Sequence, residues 1–242
     1  MNEFLRTIYA GSAAVGITGV LSPIVSALAF VKEEAPDPVL HFWARSILGA
    51  AGVQLKVEGL ENLPEGHFVL AANHQSHFDA LVLFAHIRRH LRFVAKNELK
   101  KIPIFGPALV RAGNVFIARS GGEGDKAILA QAVKAVQERV SLVFFAEGSR
   151  SDDGDLKPFK KGAAVFAIAA QVPLIPVAIA GTYGILPKKK LAIHAHPTAL
   201  IIGKPIETKG LSPDDRDRLT ARAHAEVEAL LARGNALVDS MR

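Results

Sequence analysis

Residues 68–79 read Phe68-Val69-Leu70-Ala71-Ala72-Asn73-His74-Gln75-Ser76-His77-Phe78-Asp79. The first five are apolar without a break, as in a short strand buried on both faces. The next five are polar and suit a loop. From about residue 77 to 89 the apolar positions recur at helical spacing. Strand, short polar loop, helix is the repeating unit of an α/β domain.

The same order recurs on either side. Val53-Gln54-Leu55-Lys56-Val57 alternates like a strand, and Leu91 to Ala95 reads as another. The spacing then predicts a short helix over 102–112, a strand over 114–118 and a helix over 124–139. Ser141 to Ala146 reads as a buried strand, 160–170 as a helix and 173–180 as a strand. Two more strands are expected near 191–195 and 198–203. A last helix opens at Ser212-Pro213-Asp214-Asp215, with a capping hydroxyl, proline in its first turn and acids at its positive end. It is expected to run to about Leu231. The alternation predicts an α/β domain over residues 51–242, built on a mixed, largely covered β-sheet flanked by helices.

Residues 1–50 are different. No charged residue lies between Arg6 and Lys32, and the stretch 7–31 is long enough to cross a bilayer as a helix. Gly11, Gly16, Gly19 and Pro23 dilute its apolar character. Pro36-Asp37-Pro38 then breaks the chain, and Val39-Leu40, Phe42-Trp43 and Ile47-Leu48 recur at the spacing of a second, amphipathic helix. We read 1–50 as two membrane-embedding helices. A single crossing, a buried core helix and a secretory signal ending at Ala27-Leu28-Ala29 are the other readings this composition allows.

Half of the residues are hydrophobic, and the formal net charge is +6. Residues 1–50 hold three Lys/Arg against four Asp/Glu, so the rest of the chain carries +7. A basic body suits an anionic membrane, a phosphorylated substrate or nucleic acid. Its basic runs are Arg88, Arg89, Arg92, Lys96, Lys100 and Lys101, then Lys188 to Lys190, and either could be a solvated face beside a membrane. No familiar nucleic-acid motif is present, so no nucleic-acid partner is expected. The absence of cysteine excludes disulfides, thiolate zinc sites and cysteine nucleophiles. There is no Gly-x-Ser-x-Gly elbow, no phosphate-binding P-loop and no Gly-x-Gly-x-x-Gly fingerprint.

The strand ends carry the candidate chemistry. His74 and Asp79 lie five apart, about 140° beyond a full helical turn. They meet only if His74 stays in the loop and Asp79 enters the first turn of the helix. There Asp79 could bind one imidazole nitrogen and leave the other free to take a proton. A capping Asp beside a surface His is the plainer alternative. His74 with His77, and His86 with His90, lack a third ligand, so no metal is expected. Gly113-Asn114-Val115-Phe116-Ile117-Ala118-Arg119 delivers an Arg from a strand, either to an anion or to solvent. Phe144-Phe145-Ala146-Glu147-Gly148-Ser149-Arg150 delivers Glu and Arg into a glycine-containing loop. There the guanidinium could hold phosphate oxygens and Glu147 could orient it or a hydroxyl. Val172-Pro173-Leu174-Ile175-Pro176-Val177 reads as a core strand shaped by prolines.

Taken together, His74-x4-Asp79, Phe116 to Arg119, Glu147 to Arg150 and Val172 to Pro176 resemble the four ordered blocks of the glycerolipid acyltransferases. The likeness covers about residues 53–205 and is nearest to the 1-acylglycerol-3-phosphate (lysophosphatidic acid) acyltransferases. Lys157-Pro158-Phe159-Lys160-Lys161-Gly162 and Gly181-Thr182-Tyr183 are also similar to that family. This chain has Ala118, Ala146 and Ser149 where the family often has Asp, Pro and Thr.

The resemblance implies a direct attack of an acceptor hydroxyl on an acyl thioester, with His74 as base and Asp79 as its partner. It implies that Lys96, Arg119, Glu147, Gly148, Ser149 and Arg150 hold the acceptor phosphate. No cofactor is implied beyond acyl-CoA or acyl-carrier protein as co-substrate. The expected partners are the lipid bilayer, a lysolipid acceptor and the acyl donor, and the expected location is the cytoplasmic face of the cell membrane. Transfer to glycerol 3-phosphate or to a lyso-ornithine lipid, and non-catalytic binding of anionic membranes, are the alternatives.

Overall fold

The computed structural model describes residues 2–117 and 123–242. Seven strands among them form one sheet: β1 (Leu55–Glu58), β2 (Val69–Ala72), β3 (Leu91–Lys96), β4 (Val115–Ile117), β5 (Ser141–Phe145), β6 (Leu174–Ala180) and β7 (Thr198–Ile202). Their order across the sheet is β1-β7-β6-β2-β5-β3-β4. All neighbours are parallel except β6 and β7, which are antiparallel. The sheet is therefore mixed, and β2 through β6 all end on one edge.

Helices cover both faces, as the unbroken apolar strands require. On one face lie α1 (Glu3–Leu28), α2 (Asp37–Ala51) and α3 (Phe78–His86), packed over Leu70, Ala72, Ile175 and Val177. On the other lie α5 (Glu123–Glu138), α6 (Gly162–Ala170) and α8 (Arg216–Ser240), over Val69, Ala71, Leu142 and Phe144. Alternate residues of β2 thus serve opposite cores, as the period of two dictates. Two short helices, α4 (Phe105–Arg111) and α7 (Thr182–Ile185), follow β3 and β6.

The N-terminal helices are docked onto the body. Trp43 Nε1 donates to Thr18 Oγ1 at 2.9 Å, and Arg45 Nε donates to the Ala85 carbonyl at 3.0 Å. Ala44, Ile47, Leu48 and Ala51 of α2 share one core with the sheet. The outward side of α1 remains apolar: Phe4, Val15 and Val20 are largely exposed. Among the described residues α1 is the helix long and apolar enough to cross a membrane.

Three expectations are corrected. Residues 191–195 form no strand, because their backbone bonds elsewhere: Ile193 N–H donates to Thr7 Oγ1 at 3.0 Å and His194 N–H to the Ile185 carbonyl at 2.9 Å. The last helix runs to Ser240 rather than Leu231. Gly234 lies within it, buried where α8 crosses β6, and a Cβ there would lie 2.9 Å from that of Ala180. Arg92, read as part of a basic run, is 2% exposed. Its guanidinium holds Asp37 Oδ1 at 2.8 Å and the Glu33 carbonyl at 2.7 Å, and so fastens the α1–α2 connection to β3.

Candidate active site

The parallel strands place four loops on one edge of the sheet, the usual position of ligand sites in α/β folds. The loop after β2 carries His74, that after β5 carries Glu147 to Arg150, that after β6 carries Thr182, and β3 ends on Lys96. β2 lies between β5 and β6, so His74 is central.

His74 stays in the loop and Asp79 sits in the first turn of α3. Their side chains meet, His74 Nδ1 to Asp79 Oδ2 at 2.8 Å. Asp79 is fully buried. A buried carboxylate needs donors for its lone pairs, and here it has them. Oδ2 also accepts the N–H groups of Gln75 at 2.7 Å and Ser76 at 2.9 Å. Oδ1 accepts the hydroxyl of Thr182. The helix N-terminus adds its own favourable field.

Thr182 can reach Asp79 because of the residue before it. Gly181 has φ +88°, and a Cβ there would lie 2.3 Å from the Pro197 carbonyl oxygen. Only glycine fits that turn, which takes the chain from β6 into α7. The imidazole of His74 stacks on Phe145 at the end of β5, with centroids 3.9 Å apart and planes 10° apart. Asp79 on one nitrogen and Phe145 on one face fix the ring. A proton on Nδ1 would satisfy the Asp79 carboxylate and leave the lone pair on Nε2. The side chain is 19% exposed.

Glu147, expected with the phosphate-holding residues, is turned inward. Its Oε1 accepts the His74 N–H at 2.6 Å and its Oε2 the Lys157 N–H at 3.3 Å. Burial pushes its carboxyl up to about 7, while those two amides pull the other way. Both oxygens are engaged with backbone, so it ties loops together. Further bonds stitch the same loops: Ser151 N–H to the His74 carbonyl at 2.7 Å, and Gln75 Nε2 to the Gly154 carbonyl at 2.7 Å.

Gly148, Ser149 and Arg150 are half-buried in the loop itself. Lys157 Nζ and Lys188 Nζ both donate to the Arg150 carbonyl, at 2.9 and 3.2 Å. Both also pair with Asp152, whose carboxyl is held down at about 2 by Lys188 and then Lys157. Lys96 is exposed at the end of β3. Arg119 lies outside the described residues. Thr182, Phe145, Lys157 and Lys188 appeared in the sequence reading only within longer segments, with no site role of their own. A glycine after a long buried strand, followed by a hydroxyl residue, was the signal for Thr182. The stacking of Phe145 depends on cross-strand register and has no local signal.

Comparison with known proteins agrees with this architecture. The family model described as Acyltransferase matches residues 54–180, just over half of the chain. A chloroplastic 1-acyl-sn-glycerol-3-phosphate acyltransferase of Brassica napus is 36% identical over 153 residues, covering 62% of this chain and 44% of that protein. The human alpha form is 30% identical over 173 residues, covering 71% and 61%. The chain spans about half the length of the plant and algal relatives it matches. The crystal structure of the 1-acyl-sn-glycerophosphate acyltransferase PlsC from Thermotoga maritima superposes with a TM-score of 0.79 at 26% identity, over 94% of this chain and 95% of that one. The matched segment runs from just before β1 to the end of β6 and so contains the His74, Glu147 and Arg150 loops, which makes this chain a member of the acyltransferase family.

Proposed function

We propose that this protein transfers a fatty acyl group from acyl-CoA or acyl-carrier protein to the free hydroxyl of lysophosphatidic acid, giving phosphatidic acid. The observation that carries the proposal is the His74–Asp79 pair, oriented by buried bonds at the strand edge that also bears Arg150. The names of the relatives support the acceptor.

In this reading Nε2 of His74 takes the proton of the acceptor hydroxyl as its oxygen attacks the thioester carbonyl carbon. The tetrahedral intermediate collapses, the C–S bond breaks, and the departing thiolate takes the proton back from Nε2. Asp79 holds the tautomer and stabilises the imidazolium formed on the way. Arg150, with Lys96, Arg119 and the Gly148-Ser149 backbone, holds the acceptor phosphate, where a guanidinium fork matches phosphate oxygens. Glu147 is a positioning residue beneath them. The exposed apolar side of α1 supports membrane association. The soluble thioester donors favour the cytoplasmic face.

An acceptor panel tests the substrate. Loss of a charge-assisted contact costs about 1.5–3 kcal/mol. Arg150→Ala should therefore lower kcat/KM for lysophosphatidic acid by about ten- to hundredfold, mostly through KM. It should leave a phosphate-free lysolipid unaffected. A wild-type preference for the phosphate-free acceptor contradicts the proposal.

A further inference from the structure

Two exposed loops lie on the catalytic edge, outside the residues given roles above. One follows β3 and reads Lys100-Lys101-Ile102-Pro103-Ile104, its lysines closing a 3-10 turn (Asn97–Lys101) with Lys100 Nζ 4.8 Å over the Phe116 ring, and the other follows β6 and includes Lys189-Lys190-Leu191. All four lysines are exposed. Ile102, Ile104 and Leu191 are 41%, 60% and 88% exposed. The sheet order β6-β2-β5-β3 puts these loops on either side of the two that carry His74 and Arg150.

Single exposed apolar residues are ordinary. These are not isolated. Each tip follows a lysine pair, and Glu98 is the one acidic residue within the first segment from Lys96 to Ile104. Among the described residues three non-glycine residues have positive φ, and two of them are Ile104 at 64° and Lys189 at 65°. A β-branched residue is disfavoured in that region, so the fold holds the Ile104 tip out at some cost, as functional loops do. The first turns of α1 join the same edge. The Thr7–Ile193 bond places the exposed Phe4, Ile8 and Tyr9 beside the second loop.

Basic collars with apolar tips match an anionic leaflet, where lysines meet lipid phosphates and the tips enter the acyl boundary. We propose that these two loops form a lipid contact that seats the catalytic edge itself on an anionic membrane, with α1 alongside. This rests on the reading of the protein as an enzyme of lipid acceptors.

The test is flotation of the full chain with vesicles of equal parts phosphatidylcholine and phosphatidylglycerol. Replacing Lys100, Lys101, Lys189 and Lys190 by Ala should lower affinity about fivefold for each lysine. Ile104→Gly suits the backbone, so its thermal midpoint should hold while affinity drops about five- to thirtyfold. Lys204→Ala with Lys209→Ala, exposed beyond β7, should change nothing. Turnover of a dispersed short-chain lysophosphatidic acid should be the same in all. Wild-type affinity in both loop variants overturns the proposal and leaves membrane binding to α1. Failure of the wild type to float overturns both. Loss of affinity in the loop variants, with no acyl transfer by any form, supports the lipid contact and sinks the proposed activity.

Discussion

Asp79 receives four hydrogen bonds with no access to solvent, and each comes from a different residue. Such a carboxylate is stable only as a complete set, because a lost donor leaves buried charge unsatisfied. Thr182→Val removes one donor at constant volume. It should cost about 1–3 kcal/mol of stability and reduce kcat with KM little changed, and Thr182→Ser should restore turnover. Steady-state kinetics and thermal melts check this, and a Val variant with wild-type kcat contradicts a positioning role. At this scale the spacing of His74 and Asp79 left a paired His and Asp and a capping Asp beside a surface His both open; the resemblance of the ordered blocks chose the pair, and the side chains do meet. The sequence did not show Thr182, which lies 103 positions from Asp79 and meets it only through the pairing of β6 with β2. The resemblance put Glu147 in the phosphate loop, and its side chain bonds the His74 and Lys157 amides, which a loop sequence does not foretell.

Among the elements, the loop after β5 is bound to the loop after β2 through a carboxyl pushed up to about 7 by burial. The ordinary value is 4.5, so the native state binds more protons between those values than the unfolded chain. Stability from this group is fully present below about pH 4.5 and is lost as pH rises through about 7. Glu147→Gln removes the titration. Its melting temperature should vary less with pH over that window than the wild type's, whatever its absolute level, and an equal slope contradicts the assignment. The Arg92 clasp gives a second expectation. Arg92→Leu removes one of two partners of Asp37, leaving His90 on Oδ2 at 2.7 Å, and should cost about 1–3 kcal/mol, whereas exposed Arg88→Ala should stay within about 0.5 kcal/mol. Denaturant titration decides, and equal effects contradict the clasp. Element types were legible because buried strands and amphipathic helices differ in period. Ends were less so. The last helix outruns its expected end near Leu231, and 191–195 looked like a strand although a threonine on α1 takes its amide.

Over the whole molecule, the oily N-terminus and the α/β body are one packed unit. α2 shares its core with β2 and β6, and the apolar outer side of α1 starts at the edge where His74 lies. The sequence could set an apolar segment beside a basic body but could not say which edge they share, since that depends on β6 reversing into β7. The central claim is that His74, held by Asp79, is the base of a direct acyl transfer at that edge. The most direct test follows free thiol released from acyl-CoA in the presence of lysophosphatidic acid, with wild type and His74→Ala at matched thermal stability. The wild type should release thiol only with acceptor present, and kcat should fall about 10²–10⁴-fold in the variant. Release by His74→Ala at the wild-type rate contradicts that claim.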